Sequence, residues 1–299
     1  MDDGVTHTRP PFVDAHFHLW DHAVLRYPWL DAPETAPIAA SYRIADYRAE
    51  LAGWNLAGAV HVDAGAHPDQ GADETIWLNG VADEDGLPGA IVARVELDHP
   101  AVEARLAWQA AQPRVKGIRH LINWHPTDPA RRAYERDLTR DPRWRAGYAL
   151  LGRYGLSYDF HGFPAQLSGL AEVAGQHPEV PVILNHLALP IPADGLEEWR
   201  AGLIAFAAMP HAAIKLSGAG FIGPRFDPAG FADIVAEVID RFGTDRVMVA
   251  TNFPTDRLAA GLDHTLGAYE ALLSGFSDDE RRDLWGRNAD RIYRLGLNL

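Results

Sequence analysis

Near the start of the chain an apolar run, Phe12-Val13-Asp14-Ala15-His16-Phe17-His18-Leu19-Trp20, ends in a His-x-His pair. Side chains two apart on a strand point to the same side, so His16 and His18 can aim both imidazoles at one point. A metal ion or a reacting carbonyl requires such a point. Two of fourteen histidines can also fall at this spacing by chance. The recurrence of polar residues behind later apolar runs argues against chance: His61 and Asp63 close one run, Arg119 and His120 another. Further on stand Ser157-Tyr158-Asp159-Phe160-His161, Leu184-Asn185-His186, Lys215 with Ser217, and Thr251-Asn252-Phe253-Pro254. Buried polar groups cost free energy unless paired, so imidazoles, a guanidinium and amides gathered in one place imply a ligand, water or metal that satisfies them.

The elements that must gather them are short β-branched or apolar runs alternating with longer amphipathic segments, the α/β pattern. Eight strands are expected: Phe12 to Ala15, Leu56 to Val62, Gly89 to Val95, Val115 to Leu121, Leu156 to Phe160, Pro181 to Asn185, Ala212 to Leu216 and Arg246 to Ala250. Phe231, Ile234, Val235, Val238 and Ile239 make one apolar stripe at helical spacing, and Leu167, Leu170 and Ala174 repeat the idea. Eight such units in 299 residues favour a closed (β/α)8 TIM barrel over an open doubly wound sheet. No Gly, Ser or Pro-rich linker divides the chain, so residues 1–299 are expected to form a single domain, with Asp31 to Pro37 a loop above strand one. In a barrel the chemistry sits at the carboxyl ends of the strands, where these polar residues fall.

Composition narrows the partners. Twenty-seven Lys plus Arg against 41 Asp plus Glu give a net charge of −14, which repels phosphate backbones and anionic lipid headgroups. Nucleic acid and membranes are therefore not expected partners; a small-molecule substrate is. The absence of cysteine excludes disulfides, thiolate metal sites and a cysteine nucleophile, and fits a reducing cytoplasm. Met1 to Pro10 carries Asp2 and Asp3 without an apolar core, and no stretch approaches 18 apolar residues. Neither an export signal nor a membrane span is expected, and no residue pattern speaks to oligomeric state.

Taken in order, several motifs resemble the amidohydrolase superfamily, in the amidohydrolase-related branch that contains sugar-lactone hydrolases and 2-pyrone-4,6-dicarboxylate lactonase. They are Val13 to Asp21, Tyr27-Pro28-Trp29-Leu30, Lys116-Gly117-Ile118-Arg119-His120, Pro164-Ala165-Gln166-Leu167, Asn185-His186, Lys215-Leu216-Ser217-Gly218 and Asn252-Phe253-Pro254. The resemblance covers nearly the whole chain and implies a (β/α)8 barrel that hydrolyses lactones or amides, with related branches that decarboxylate aromatic acids. It places metal-binding or carbonyl-polarising histidines at His16, His18 and His186, and a substrate-facing basic group at Arg119. Where the superfamily normally carries a strand-eight aspartate this chain has Asn252. An amide cannot act as a general base, and as a neutral ligand it holds a divalent metal more weakly than a carboxylate.

Two mechanisms are compatible with that departure. In one, His16, His18 and His186 hold Zn²⁺ with water in the fourth position, and the metal lowers that water's pKa to roughly 7. In the other there is no metal: Arg119 and a histidine polarise the lactone carbonyl while His161, Asp159 or Asp256 activates water. The expected reaction is opening of a lactone of a sugar acid or ring-cleavage product, with Arg119 suited to a carboxylate-bearing substrate. The alternatives are a non-oxidative decarboxylase of an aromatic or enoic acid, against which Asn252 counts, and a barrel that only binds its ligand.

Each remaining candidate has a structural reading beside the functional one. Arg119 can pair with a barrel carboxylate, His161 and Asp159 can cap a helix, and Lys215 can serve a structural ion pair as readily as a substrate. Trp20, Trp29 and Trp124 can wall a substrate pocket or simply pack. Gly218-Ala219-Gly220-Phe221-Ile222-Gly223 matches a dinucleotide fingerprint, but Pro224 and Asp227-Pro228 interrupt the helix it needs. A tight loop at the barrel mouth accounts for those glycines.

Overall fold

The computed structural model describes residues 9–222 and 228–299. Asp2 and Asp3, and Gly223, Pro224 and Asp227 of the interrupted glycine motif, lie outside the described residues. Eight strands form: β1 Phe12–Phe17, β2 Leu56–Val62, β3 Ala90–Arg94, β4 Val115–Arg119, β5 Ser157–Phe160, β6 Val182–Leu184, β7 Ala212–Leu216 and β8 Val247–Val249. They pair in chain order and in parallel throughout. The seam between first and last strand is closed beyond their ends, by a parallel bridge from Phe17 to Phe253 and by Asn252 N–H donating to His16 O at 2.7 Å. The result is the expected (β/α)8 barrel.

Period-two alternation fills its interior. Val13 with Ala15, Val60 with Val62, Ala90 with Val92 and Met248 with Ala250 belong to one buried cluster that also contains Ala289 and Tyr293 of the last helix, Asn288–Tyr293. That helix and the tail after it floor the barrel at the amino ends of the strands. Leu295 lies against both Gly58 and Gly89 there. Outside, the stripe Phe231, Ile234, Val235, Val238 and Ile239 is buried on the helix Pro228–Phe242, as its spacing requires.

Two differences from the sequence reading bear on the site. Residues 31–37 are not a plain loop: two 3₁₀ turns, Pro28–Asp31 and Pro33–Ile38, each begin on a proline whose fixed φ suits a first turn. Strand four stops at Arg119 rather than Leu121, since its last ladder partner, Arg94, is also the last residue of β3.

Candidate active site

The mouth is tied together at the β1–β8 seam. Asp14, fully buried, accepts hydrogen bonds from Thr251 N (2.9 Å), Thr251 Oγ1 (2.6 Å), Tyr47 OH (2.7 Å) and His16 N (3.1 Å). Burial nonetheless pushes its carboxyl up to about 6. This cluster fixes the backbone from which His16 and Asn252 project.

His18 Nδ1 lies 2.7 Å from the carbonyl oxygen of Val62. A carbonyl only accepts, so Nδ1 carries the proton and Nε2 presents a bare lone pair. That lone pair stands 3.2 Å from His16 Nε2 and 3.2 Å from Asn252 Oδ1. Asn252 is oriented from behind, its Nδ2 donating to Asp256 Oδ1 at 2.8 Å, so the amide oxygen is what faces His18. Burial, reinforced by the charge of Arg119 at all three and of Lys215 at His16 and His186, holds His16, His18 and His186 well below the usual histidine range. His18 is therefore neutral, and two acceptors face each other with no proton between them.

A cation relieves that contact. In a tetrahedral site with Zn–N bonds of about 2.0–2.1 Å, neighbouring ligand atoms stand about 3.3 Å apart, close to the two 3.2 Å separations seen here. The donor set differs from the expected His16, His18 and His186, which are not brought together as ligands: among the described residues no group of three His, Cys, Asp or Glu side chains is placed to hold a metal. Two imidazole nitrogens and one amide oxygen are what this corner of the mouth offers, and they fit in number and spacing; His16, whose Nδ1 faces the Lys215 ammonium at 3.5 Å, carries its proton on Nε2 and would release it on binding a metal.

His186 reaches the mouth by strained backbone. His186, Leu187, Ala188 and Leu189 all have φ between 53° and 59°, as does Asn252 at 54°. Each such residue costs about 1–2 kcal/mol for an L side chain and persists only where its surroundings over-determine it. The ring of His186 sits 4.7 Å from that of His16 and 5.2 Å from that of His161, and its Nδ1 is 2.9 Å from Ser217 Oγ. Gly218 makes room, since a Cβ there would fall 2.4 Å from His186 Cβ, and its φ of 72° also suits glycine. This close approach is what Gly218, the first glycine of the motif, serves.

The cavity so formed, about 420 Å³, is lined by His18, Trp29, Arg94, Arg119, Leu121, His161, His186, Phe221, Asn252 and Thr255 among others. No carboxylate lines it among the described residues. Arg119 both pairs and faces the cavity: its Nε lies 3.4 Å from Asp63 Oδ2 and its Nη2 donates to the Asp63 carbonyl. His161 is held by Asn123 Oδ1 at 3.0 Å and is pulled down to about 3, chiefly by burial, so it too is neutral. Asp256 lies behind Asn252 with its Oδ2 buried and unpartnered, and burial pushes it up to about 7.

Of the sequence candidates, His16, His18, His161, His186, Arg119, Asn252 and Trp29 converge at the mouth and Asp256 lies just behind it, while Lys215, Asp159, Trp20 and Trp124 do not line it. Lys215 and Asp159 form a fully buried ion pair of 2.6 Å beneath His16, with Lys215 Nζ 3.5 Å from His16 Nδ1. Trp20 is buried with its indole N–H donated to Ala40 O, and Trp124 stacks under Arg132; neither lines the cavity. Trp29 does, its indole N–H anchored on Ala64 O. Arg94, not among the sequence candidates, also lines the cavity; it ends β3 as Arg119 ends β4. Phe221, whose ring lies 5.1 Å from His186, gave no signal of its own.

A family model described as amidohydrolase matches residues 13–295. An uncharacterized protein of Sinorhizobium fredii is 35% identical over 95% of this chain and 98% of its own length. A protein of Burkholderia multivorans named L-fucono-1,5-lactonase is 28% identical over 95% of this chain and 96% of its own. Among solved structures, an amidohydrolase from Burkholderia multivorans with bound zinc superposes with a TM-score of 0.80 at 27% identity, over 95% of this chain and 99% of that one.

Proposed function

The chain belongs to the amidohydrolase family, and from that premise we propose that it is a lactonase, opening the cyclic ester of a sugar acid or a related ring. The observation that carries this reading is the cavity wall: neutral imidazoles, an amide and two arginines, with no carboxylate. Opening a lactone leaves a new carboxylate on the product, and a wall with arginines and no acid receives it without like-charge repulsion. A relative named for lactone chemistry supports the reaction class.

In this reading His16, His18 and Asn252 hold a zinc ion, in keeping with the zinc found in the Burkholderia multivorans structure. A zinc ion held there would supply Lewis-acid polarisation of an ester carbonyl and a bound water of pKa about 7. The chain's own groups do the rest. Asp256 keeps the Asn252 oxygen turned toward His18 through the 2.8 Å bond to Nδ2. Arg119, fixed by Asp63, orients the substrate and balances charge growing on the carbonyl oxygen. His161, with Nδ1 engaged by Asn123, turns a bare Nε2 to hydrogen-bond the attacking water. Trp29 and Phe221 offer ring faces to a sugar-sized ring. His186 completes the wall and shapes the approach.

The test is a panel of lactones read by proton release beside a panel of carboxylic acids read for carbon dioxide, with and without a zinc chelator. Lactone turnover that falls on chelation and returns with zinc is the expected result. Carbon dioxide release, or silence on both panels, would reject the proposal.

A further inference from the structure

The floor of the barrel, opposite the mouth, carries a second cavity of about 300 Å³ at the amino ends of β4 to β8. Its wall includes Lys116 of β4, His211 just before β7, Arg246 just before β8, and Arg291 and Arg294 of the closing helix and its end. No Asp or Glu lines it among the described residues. Lys116 is one of only two lysines in a chain with 41 acidic residues.

None of these four permanent cations forms an ion pair among the described residues; they bond to neutral oxygens instead. Arg246 engages all three of its nitrogens, one bond each, on the carbonyls of Phe242, Met209 and Ala207. Arg294 uses only Nη2, on the carbonyls of Lys116 and Gly155, and Arg291 only Nη2, on Asp245 O and Asn288 Oδ1. Each therefore keeps Nε and Nη1 for another acceptor. Arg294 holds its place at a φ of 55°, a left-handed conformation that costs an L residue energy. Its charge adds to burial in drawing Lys116 below the ordinary lysine range. Like charges brought together without a counter-ion repel, and a multivalent anion removes that repulsion.

We propose that this floor cavity is a binding site for a phosphate dianion, free or carried on a small phosphate monoester, held by the forks of Arg291 and Arg294 and the Lys116 ammonium within the field of Arg246. A phosphate carries about 1.5 to 2 negative charges at neutral pH and presents oxygens in the geometry a guanidinium fork matches. The site is independent of the reaction at the mouth, from which it is separated by the barrel's packed interior.

Calorimetric titration of the whole protein with inorganic phosphate and, separately, with phenyl phosphate tests it at low ionic strength. Saturable one-site binding of either probe is expected, weakened at least about tenfold in the Arg291→Gln/Arg294→Gln variant. Tighter binding of phenyl phosphate assigns the cavity to a monoester; tighter binding of inorganic phosphate assigns it to the free anion. Lys116→Gln, read in the same way, serves should the double variant fail to melt cooperatively. Absence of saturable binding, affinity unchanged in the floor variants, or binding lost in Arg119→Gln instead would overturn the proposal, the last by moving the anion to the mouth.

Discussion

Lys215, Asp159 and Tyr293 form one buried polar cluster in the barrel, and His16, His18 and Asn252 form another directly above it; the two differ in how far their polar atoms are satisfied. In the lower cluster opposite charges meet at 2.6 Å, and the Tyr293 hydroxyl reaches both Asp159 oxygens at 2.9 and 3.1 Å. In the upper cluster His18 Nε2 and Asn252 Oδ1 face each other as two acceptors. Both sit in the same low-dielectric interior, where an unmade hydrogen bond is expensive. The lower cluster supports the barrel and aims His16, while the upper one holds its unmet demand open to a ligand. Complete pairing marks structure here, and organised incompleteness marks chemistry.

The sharpest way to break that contrast is to make the lower cluster incomplete. Lys215→Met leaves Asp159 buried beside a single hydroxyl, and removing one partner of a buried pair costs about 3–5 kcal/mol. Urea unfolding should show that loss, and the Lys215→Met/Asp159→Leu double variant should recover most of it, since no charge is then left alone. A single variant as stable as the parent would show the pair to be no part of the barrel's support.

The upper cluster should respond in the opposite sense. His18→Ala is expected to lower kcat/KM for a lactone by at least about a hundredfold, the scale seen when one preorganised electrostatic group is removed. Unfolding should change far less than for Lys215→Met, because the variant removes a strained acceptor contact along with the ring. Zinc retained per protein after dialysis should fall in parallel. Full activity in this variant would separate the acceptor pair from catalysis.

The sequence revealed the histidines, Arg119 and Asn252 because one rule, polar residues behind apolar strands, covers them all, and strand positions follow from a period of two. Arg94 obeys the same rule and was legible in principle. Other features were not. Nothing in His186-Leu187-Ala188-Leu189 announces four left-handed residues, since none is glycine; tertiary packing imposes them. Trp20 and Trp29 look alike in sequence, yet one packs under Trp29 and Tyr42 while the other walls the cavity. Lys215 and Asp159 were visible as polar residues on inward strands, but their pairing depends on which atoms lie at what depth. Register and depth are set by the closed barrel and not by any local run of residues.

The smallest effect concerns a histidine that belongs with the finished cluster although it stands beside the mouth. His120 Nδ1 accepts from Leu97 N at 3.2 Å, so Nε2 is the nitrogen that donates, to Tyr134 OH at 2.7 Å. Both nitrogens are thus employed in the neutral form, and burial pulls the group down to about 4 from an ordinary 6.5. With the folded value depressed, the unfolded chain binds the proton first as pH falls. The stability this group contributes is fully present above about pH 6.5 and is lost progressively toward pH 4. His120→Gln should flatten the decline in unfolding free energy between pH 6.5 and 4.5 by at most about 1.4 kcal/mol per pH unit. The effect is partial because His61, pulled down to about 3, and His161 decline in the same direction. Lactone turnover should survive, since His120 is held by Leu97 and Tyr134 and lies outside the cavity wall. An unchanged pH slope would place the acid sensitivity with the mouth histidines alone, and the division between finished and open clusters would then run through His120 rather than around it.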